Sequence, residues 1–189
     1  EGVHYAEPPA LGLGYRVGSG IDLAYTAKTH ADYSVSLVLA RRGDDYDILD
    51  VVRKQCRAPE FVFALRKHAA DYPGSKARWY ASGTEKGTAD FLATHGIKLD
   101  VQTPRGDKFV RAQPVAAAWN AGKIRVPRDA HWLAALVDEL LGFTGVNAPH
   151  DAIVDAIAAA FDLLATPEIT SAGSVTGRGS EARAWSDVL

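Results

Sequence analysis

Methionine is absent from the 189-residue sequence, and Cys56 is its single cysteine. One cysteine excludes an internal disulfide and argues against a cysteine-ligated zinc site. It is also typical of an intracellular protein. No apolar run approaches the roughly 20 residues that span a bilayer, and no signal segment opens the chain. Because the chain begins at Glu1, we expect a fragment of a longer protein.

The chain also lacks an excess of either charge. Its 21 Lys and Arg residues nearly balance its 23 Asp and Glu residues, which leaves a formal net charge of -2. Overall attraction to nucleic acid or to a membrane surface is therefore not expected, and any such binding must come from a local patch. An apolar content of 47% and a charged content of 23% are typical of a soluble globular domain with a sizeable core.

Periodicity predicts a mixed α/β domain. Three strand-like stretches, 18–26, 33–40 and 46–52, are joined by short polar connections and predict an antiparallel meander. Helical spacing then alternates with two further short strands, which implies parallel crossovers. The later predicted elements are helices 59–72, 84–94, 107–122, 130–141 and 151–164 and strands 77–81 and 97–101. The order resembles a ribonuclease H-like domain: a mixed five-stranded sheet, with three antiparallel strands followed by parallel crossovers, flanked by helices.

One acid, Asp22, interrupts an apolar, glycine-flanked strand pattern. Such a charge costs stability unless it is matched, and by itself the residue is best interpreted as a cap or a turn. In ribonuclease H-like domains, however, an acid on the first strand is joined by another from the last helix. Asp151 and Asp155 are suitably placed, because residues four apart lie on one helix face.

Carboxylates from separate elements suit hard cations such as Mg²⁺ and Mn²⁺, which prefer oxygen ligands. Asp151 follows a proline and is best interpreted as an N-cap by its spacing alone. Asp155 lies in an apolar stretch, and a buried acid usually has a partner, for which a metal is one candidate. His150, beside both acids, is a candidate metal ligand or proton shuttle. Which of the two acids holds metal is open.

An ordered series of motifs resembles the C-terminal nuclease domain of the phage terminase large subunit. The resemblance covers about residues 15–164. Its stretches are 20–24 (GIDLA) followed by 31–35 (ADYSV), 82–87 (SGTEKG), 107–114 (DKFVRAQP), 118–127 (AWNAGKIRVP) and 150–156 (HDAIVDA).

This resemblance implies a metal-dependent endonuclease that cuts concatemeric double-stranded viral DNA during genome packaging, by attack of metal-activated water on the phosphodiester. It implies two Mg²⁺ or Mn²⁺ ions, or one until DNA supplies phosphate oxygens. Asp22, Asp151 and Asp155 would be catalytic metal ligands. Lys108 and Arg111 match the family's basic pair and would hold a phosphate, although a solvated helix face is the commoner fate of such pairs.

The family usually places a further acid at the end of the fourth strand, where this chain has Ala81 and Ser82. Glu85, a few residues later, is equally well interpreted as a replacement catalytic acid or as a solvated first-turn helix acid. Whether it replaces the missing ligand is open.

The full family protein also carries an N-terminal packaging ATPase. No Gly-x-x-x-x-Gly-Lys-Ser/Thr loop occurs here, so we expect the motor domain to be missing. Residues 1–14 would be the linker from it, 15–166 the nuclease domain and 167–189 a flexible tail. The expected partners are double-stranded DNA, the packaging ATPase domain, the small terminase subunit and the portal. We expect a monomeric fragment acting in the host cell cytoplasm, with no membrane association.

Three other interpretations stay open. A junction resolvase or transposase core would share the fold. An actin-like ATPase or sugar kinase would use residues 20–26 as a phosphate-binding hairpin, but it needs a second domain copy. A catalytically inactive module that binds DNA or the portal is favoured by the missing fourth-strand acid.

Overall fold

The computed structural model describes residues 2–24, 33–145 and 151–166. Six strands and five helices form these parts of the chain. The strands are β1 Arg16–Asp22, β2 Ser34–Arg42, β3 Asp45–Lys54, β4 Lys76–Tyr80, β5 Leu99–Gln102 and β6 Ile124–Arg125. The helices are α1 Ala58–Asp71, α2 Lys86–Thr94, α3 Lys108–Asn120, α4 Leu133–Gly142 and α5 Ala152–Ala165, with a 3-10 turn at Gly83–Glu85.

All six strands form one mixed sheet in the order β5-β4-β1-β2-β3-β6. β1 pairs antiparallel with β2, and β2 with β3, so the expected meander is confirmed. β4 is parallel to both β1 and β5, as the strand–helix–strand pattern predicts. The predicted count of five strands is wrong, because β6 adds a sixth by pairing parallel with β3. Two residues are too few to leave a periodic pattern in the sequence.

Helices cover both faces of the sheet and divide the core in two. One cluster packs α1 and α2 against the sheet and contains Ile21, Leu23 and Trp79. The other packs α5 and α4 against the opposite face and contains Leu37 and Ile157. Successive strand side chains point to opposite faces. Since Ile21 and Leu23 face α1 and α2, Gly20 and Asp22 face α5.

Helix α5 lies unusually close to β1, and Gly20 is the reason. A β-carbon built at Gly20 would stand 1.7 Å from the carbonyl oxygen of Ala156 and 2.6 Å from the backbone nitrogen of Ala160. Only glycine permits this approach, because any larger side chain meets helix backbone that cannot move aside. The small alanines of α5 support the same packing. The contact places the first turn of α5 beside Asp22.

The N-terminal segment follows the domain surface. Tyr5 forms a parallel bridge with Val126, whose backbone nitrogen donates to the carbonyl oxygen of His4 at 3.0 Å. The predicted role of residues 1–14 as a linker stays a prediction, and the predicted tail at 167–189 lies outside the described residues. Within the described ranges, no helix combines the length and apolar character required to cross a membrane.

Candidate active site

Asp22 is the last residue of β1 and marks the carboxyl end of that strand. The strand therefore ends at the acid, whereas the sequence pattern placed it inside a longer strand. Burial, followed by repulsion from Asp155, raises the pKa of Asp22 to about 8; Lys108 opposes this rise, and Asp151 and Glu85 add to it. Asp155, Asp151 and Glu85 therefore all lie within electrostatic reach of Asp22.

Lys108 and Arg111 form ion pairs with the acids at the start of α5, which are the N-cap residue Asp151 and Asp155 in the first turn. The ammonium of Lys108 donates to Oδ2 of Asp151 at 2.8 Å and to Oδ2 of Asp155 at 2.7 Å. Arg111 Nη2 donates to Oδ1 of Asp155 at 2.9 Å. Burial disfavours the charged form of Lys108, but its hydrogen bonds to the two carboxylates outweigh this and raise its pKa. Asp155 is 9% exposed, so its charge is matched by two cations rather than by water.

The start of α3 positions the side chains of these two cations. Asp107 is the N-cap, and its side chain accepts a hydrogen bond from the backbone nitrogen of Val110 at 2.8 Å. Lys108 and Arg111 are three residues apart in the first turns, so they share one helix face. Arg111 Nη1 also donates to the carbonyl oxygen of Gly106 at 3.0 Å, which fixes the guanidinium against the start of its own helix.

Glu85 combines features of both predicted interpretations. Its Oε2 accepts a hydrogen bond from the backbone nitrogen of Ser82 at 2.7 Å, so the side chain stabilises the turn after β4. Its charge nevertheless contributes to the raised pKa of Asp22. Glu85 therefore belongs to the electrostatic neighbourhood of the site while capping its own turn.

The carboxylate oxygens of this acidic cluster have the chemistry that a divalent cation requires. Carboxylate oxygens are the ligands that Mg²⁺ and Mn²⁺ prefer, and the raised pKa of Asp22 reflects burial together with crowded acids. Within the described ranges, no group of three or more His, Cys, Asp or Glu side chains is already arranged around an ion position. Lys108 bridges Asp151 and Asp155 instead. His150 lies outside the described residues.

A cavity of about 470 Å³ lies beside this cluster, and Arg111 lines it. A second ion-pair network forms another part of its wall. Arg78 Nη1 donates to Oδ2 of Asp162 at 2.7 Å, and the hydroxyl of Tyr80 donates to the same oxygen at 2.8 Å. Arg105 also lines the cavity. The cavity therefore joins the acidic cluster to a surface that carries several guanidinium groups.

The family model described as the terminase RNase H-like domain matches residues 19–164, which is more than half of the chain. The chain belongs to the terminase RNase H-like domain family. The resemblance identified from the ordered motifs is therefore confirmed. No curated protein matches the sequence.

Solved structures similar to this terminase-family domain share its fold. The large terminase nuclease from thermophilic phage G20c with bound zinc is 22% identical at a TM-score of 0.63, covering 85% of this chain and 91% of that chain. Its magnesium-bound form is 19% identical at 0.62, covering 85% and 90%. The human cytomegalovirus terminase nuclease domain is 12% identical at 0.65, covering 85% and 89%. These likenesses confirm the ribonuclease H-like α/β fold.

The buried charged groups of this terminase-family domain include Arg78 and Glu139, which sequence reasoning missed. Arg78 is 9% exposed and paired with Asp100 and Asp162. Glu139, 7% exposed, was not singled out at all. A signal for Glu139 existed: it follows Trp132 and Leu136 at helical spacing, which places a carboxylate on the apolar face of α4.

Proposed function

We propose that this domain is a metal-dependent endodeoxyribonuclease that cuts concatemeric double-stranded viral DNA during genome packaging. The observation that carries the proposal is the convergence of Asp22, from the end of β1, with Asp155 and Asp151 from the start of α5, next to Lys108 and Arg111. Membership of the terminase RNase H-like domain family supports the same activity. The zinc- and magnesium-bound forms of the G20c nuclease support the use of divalent metal.

Asp22, Asp151 and Asp155 would hold one or two Mg²⁺ or Mn²⁺ ions, with Glu85 and His150 as further candidate ligands or catalytic groups. Divalent ions held there would supply Lewis-acid activation of water and stabilisation of the leaving oxygen. Binding a doubly charged ion requires the ammonium of Lys108 to leave the carboxylates that it bridges. The carboxyl proton that the raised pKa of Asp22 retains near neutral pH must leave as well.

Lys108 and Arg111 have a second role in this proposal. Once released from the acids, Lys108 can neutralise a phosphate oxygen of the DNA strand, because its side chain is 44% exposed to solvent. Arg111 reaches both the acidic cluster and the 470 Å³ cavity, so it can join the bound backbone to the carboxylates. Phosphate contacts of this kind fix the register of the strand without reading its sequence.

The wider setting follows from the family. We place the domain in the host cell cytoplasm as part of a longer large terminase subunit, with residues 1–14 leading from the packaging ATPase. Its partners there would be double-stranded DNA, the small terminase subunit and the portal. The isolated fragment would be a monomer.

The decisive experiment is cleavage of supercoiled plasmid with Mg²⁺, with Mn²⁺ and with chelator. We expect cleavage with either metal and none with chelator. Asp22→Asn should abolish cleavage, and Asp90→Asn, which alters an exposed acid on α2, should cleave like the wild type. Undiminished cleavage by Asp22→Asn, or in chelator, would refute the proposal. Cleavage of branched but not linear duplex DNA would favour a junction resolvase or transposase core.

A catalytically inactive interaction module is the second candidate. It is favoured by Ala81 and Ser82 at the end of β4, where the family usually has an acid, and by the lack of a preformed metal cluster in the described residues. Isothermal titration separates the two candidates. Failure to bind Mn²⁺, with or without DNA, would favour the inactive module.

A further inference from the structure

The first turn of α5 has a cap that comes from another helix. An α-helix leaves the backbone N–H groups of its first turn without intrahelical acceptors. In α5 the first intrahelical bond runs from the nitrogen of Asp155 to the carbonyl oxygen of Asp151 at 3.0 Å, so the N–H groups of Ile153 and Val154 need outside partners. Oε1 of Glu139, on α4, accepts hydrogen bonds from Ile153 N and, at 3.4 Å, from Val154 N.

The residue expected to provide this cap does not provide it. Asp151 occupies the N-cap position of α5, but its side chain makes no capping hydrogen bond. Its carboxylate instead accepts from Lys108 at 2.8 Å, within the acidic cluster. Glu139 performs the task that Asp151 would otherwise perform.

The environment of Glu139 suits a fixed carboxylate. It is 7% exposed, and burial raises its pKa, whereas the hydrogen bond from Ile153, the charge of Arg53 and the hydrogen bond from Val154 act in the opposite direction. Arg53 Nε, from β3, lies 3.4 Å from Oε2 of Glu139. The guanidinium of Arg53 is itself stacked over Tyr33, 3.4 Å from the ring centroid. A negative charge at a helix N-terminus is further favoured by the helix dipole.

We infer that Glu139 is a positioning residue: it caps α5 in place of Asp151, and thereby frees the Asp151 carboxylate and orients Asp155 for the acidic site. The catalytic consequence rests on the proposed nuclease function, but the capping arrangement does not. Without the cap, the first turn of α5 would fray, or Asp151 would turn back to satisfy it. Either change removes a carboxylate from the position that it shares with Lys108.

The test compares Glu139→Ala, which removes the acceptor, with Glu139→Gln, which keeps an oxygen acceptor but no charge. Asp138→Asn is the matched control, because it alters the exposed acid that immediately precedes Glu139 on the same helix. Three readouts are measured: amide hydrogen exchange at Ile153 and Val154, Mn²⁺ affinity by isothermal titration without DNA, and kcat and KM for plasmid cleavage.

We expect Glu139→Ala to speed exchange at both amides by about fivefold. That factor corresponds to a cap worth about 1 kcal/mol, at about 1.4 kcal/mol per tenfold change. The variant's Mn²⁺ affinity and kcat should fall by about tenfold or more, as is typical when an outer-shell partner is lost, with KM for DNA little changed. Glu139→Gln should retain most of the amide protection and recover most of kcat. The Asp138→Asn control should match the wild type in all three readouts.

A folded Glu139→Ala variant with wild-type exchange at Ile153 and Val154 would overturn the capping arrangement. Faster exchange with unchanged Mn²⁺ affinity and kcat would show that the cap is structural only, and would overturn the positioning role. If Glu139→Ala does not fold, the wild type decides: Ile153 and Val154 must exchange more slowly than Ala152. Equal exchange refutes the inference. If the nuclease proposal itself is wrong, the wild type does not cleave, while the exchange readout still reports on the cap.

Discussion

Replacing Asp22 by asparagine should abolish cleavage and at the same time stabilise the metal-free protein. The folded chain holds the pKa of Asp22 at about 8, against 3.8 for an unperturbed aspartate, mainly through burial and next through repulsion from Asp155. The folded state therefore binds a proton that the unfolded chain releases above about pH 4. Stability from this group is fully present below pH 3.8 and is lost progressively as the pH rises toward 8.

The size of this change in unfolding free energy follows from the difference between the folded and unfolded pKa values of Asp22. Each tenfold change in an ionisation constant is worth about 1.4 kcal/mol, so the interval between pH 3.8 and pH 7 sets an upper limit of about 4 kcal/mol. Asp22 is only half-buried, and solvent reduces the electrostatic part of this cost. We therefore expect Asp22→Asn to raise the free energy of unfolding by about 1–3 kcal/mol at pH 7. A gain in stability on losing an active-site group is common, because the arrangement of groups that an active site needs usually costs folding stability.

Urea denaturation in chelator, followed by circular dichroism from pH 4.5 to 8, measures this difference. The advantage of Asp22→Asn should grow with pH, whereas the control Asp90→Asn should follow the wild type throughout. Adding Mn²⁺ at 100 times its dissociation constant should stabilise the wild type by about 2.7 kcal/mol and the variant by less. A variant less stable than the wild type at pH 7, or an advantage independent of pH, would refute the electrostatic reasoning.

Two further changes test how the site is assembled. Gly20→Ala should cost about 3 kcal/mol of unfolding free energy or more, because its methyl group would stand 1.7 Å from the carbonyl oxygen of Ala156. Gly87→Ala, on α2 with nothing within 4 Å, should be neutral or stabilising; equal urea midpoints for the two variants would contradict the close packing. Lys108→Gln should tighten Mn²⁺ binding without DNA by about tenfold, since it removes a cation bound to Asp155, while slowing DNA cleavage. Unchanged Mn²⁺ affinity in isothermal titration would show that Lys108 does not compete with the metal.

Most of the fold could be predicted because local sequence patterns specify its strands and helices. Alternating apolar residues and short turns predicted the β1–β2–β3 meander, and the change to helical spacing predicted the parallel crossovers. The sequence indicates a brief extended piece at 124–126. That it joins the sheet as a sixth strand could not be predicted, because this depends on its pairing with β3. The end of β1 at Asp22 was missed for a similar reason: strand ends depend on neighbouring strands and loops more than on the residues themselves.

The candidate site, like the fold, could be predicted only in part. Residue type and element order pointed to Asp22, Asp151 and Asp155 as the acids. The resemblance to the terminase nuclease family pointed to Lys108 and Arg111 as the neighbouring cations. The ion pairs that join them connect residues about 44 positions apart, and no local spacing encodes such a contact. Their catalytic roles stay predictions.

By itself, the sequence determined the class of fold and the family, because periodicity, turn residues and motif order survive without coordinates. The tertiary structure alone decided which groups share a charge environment. Gly20 admits α5 against β1, and that contact carries Asp155 to Asp22. Glu139 reaches the start of α5 from α4, so that Asp151 is available to the site rather than to its own helix. Both contacts depend on packing between segments that are distant in the sequence. The interaction energies there depend on burial and on interatomic distances, which a sequence pattern does not contain.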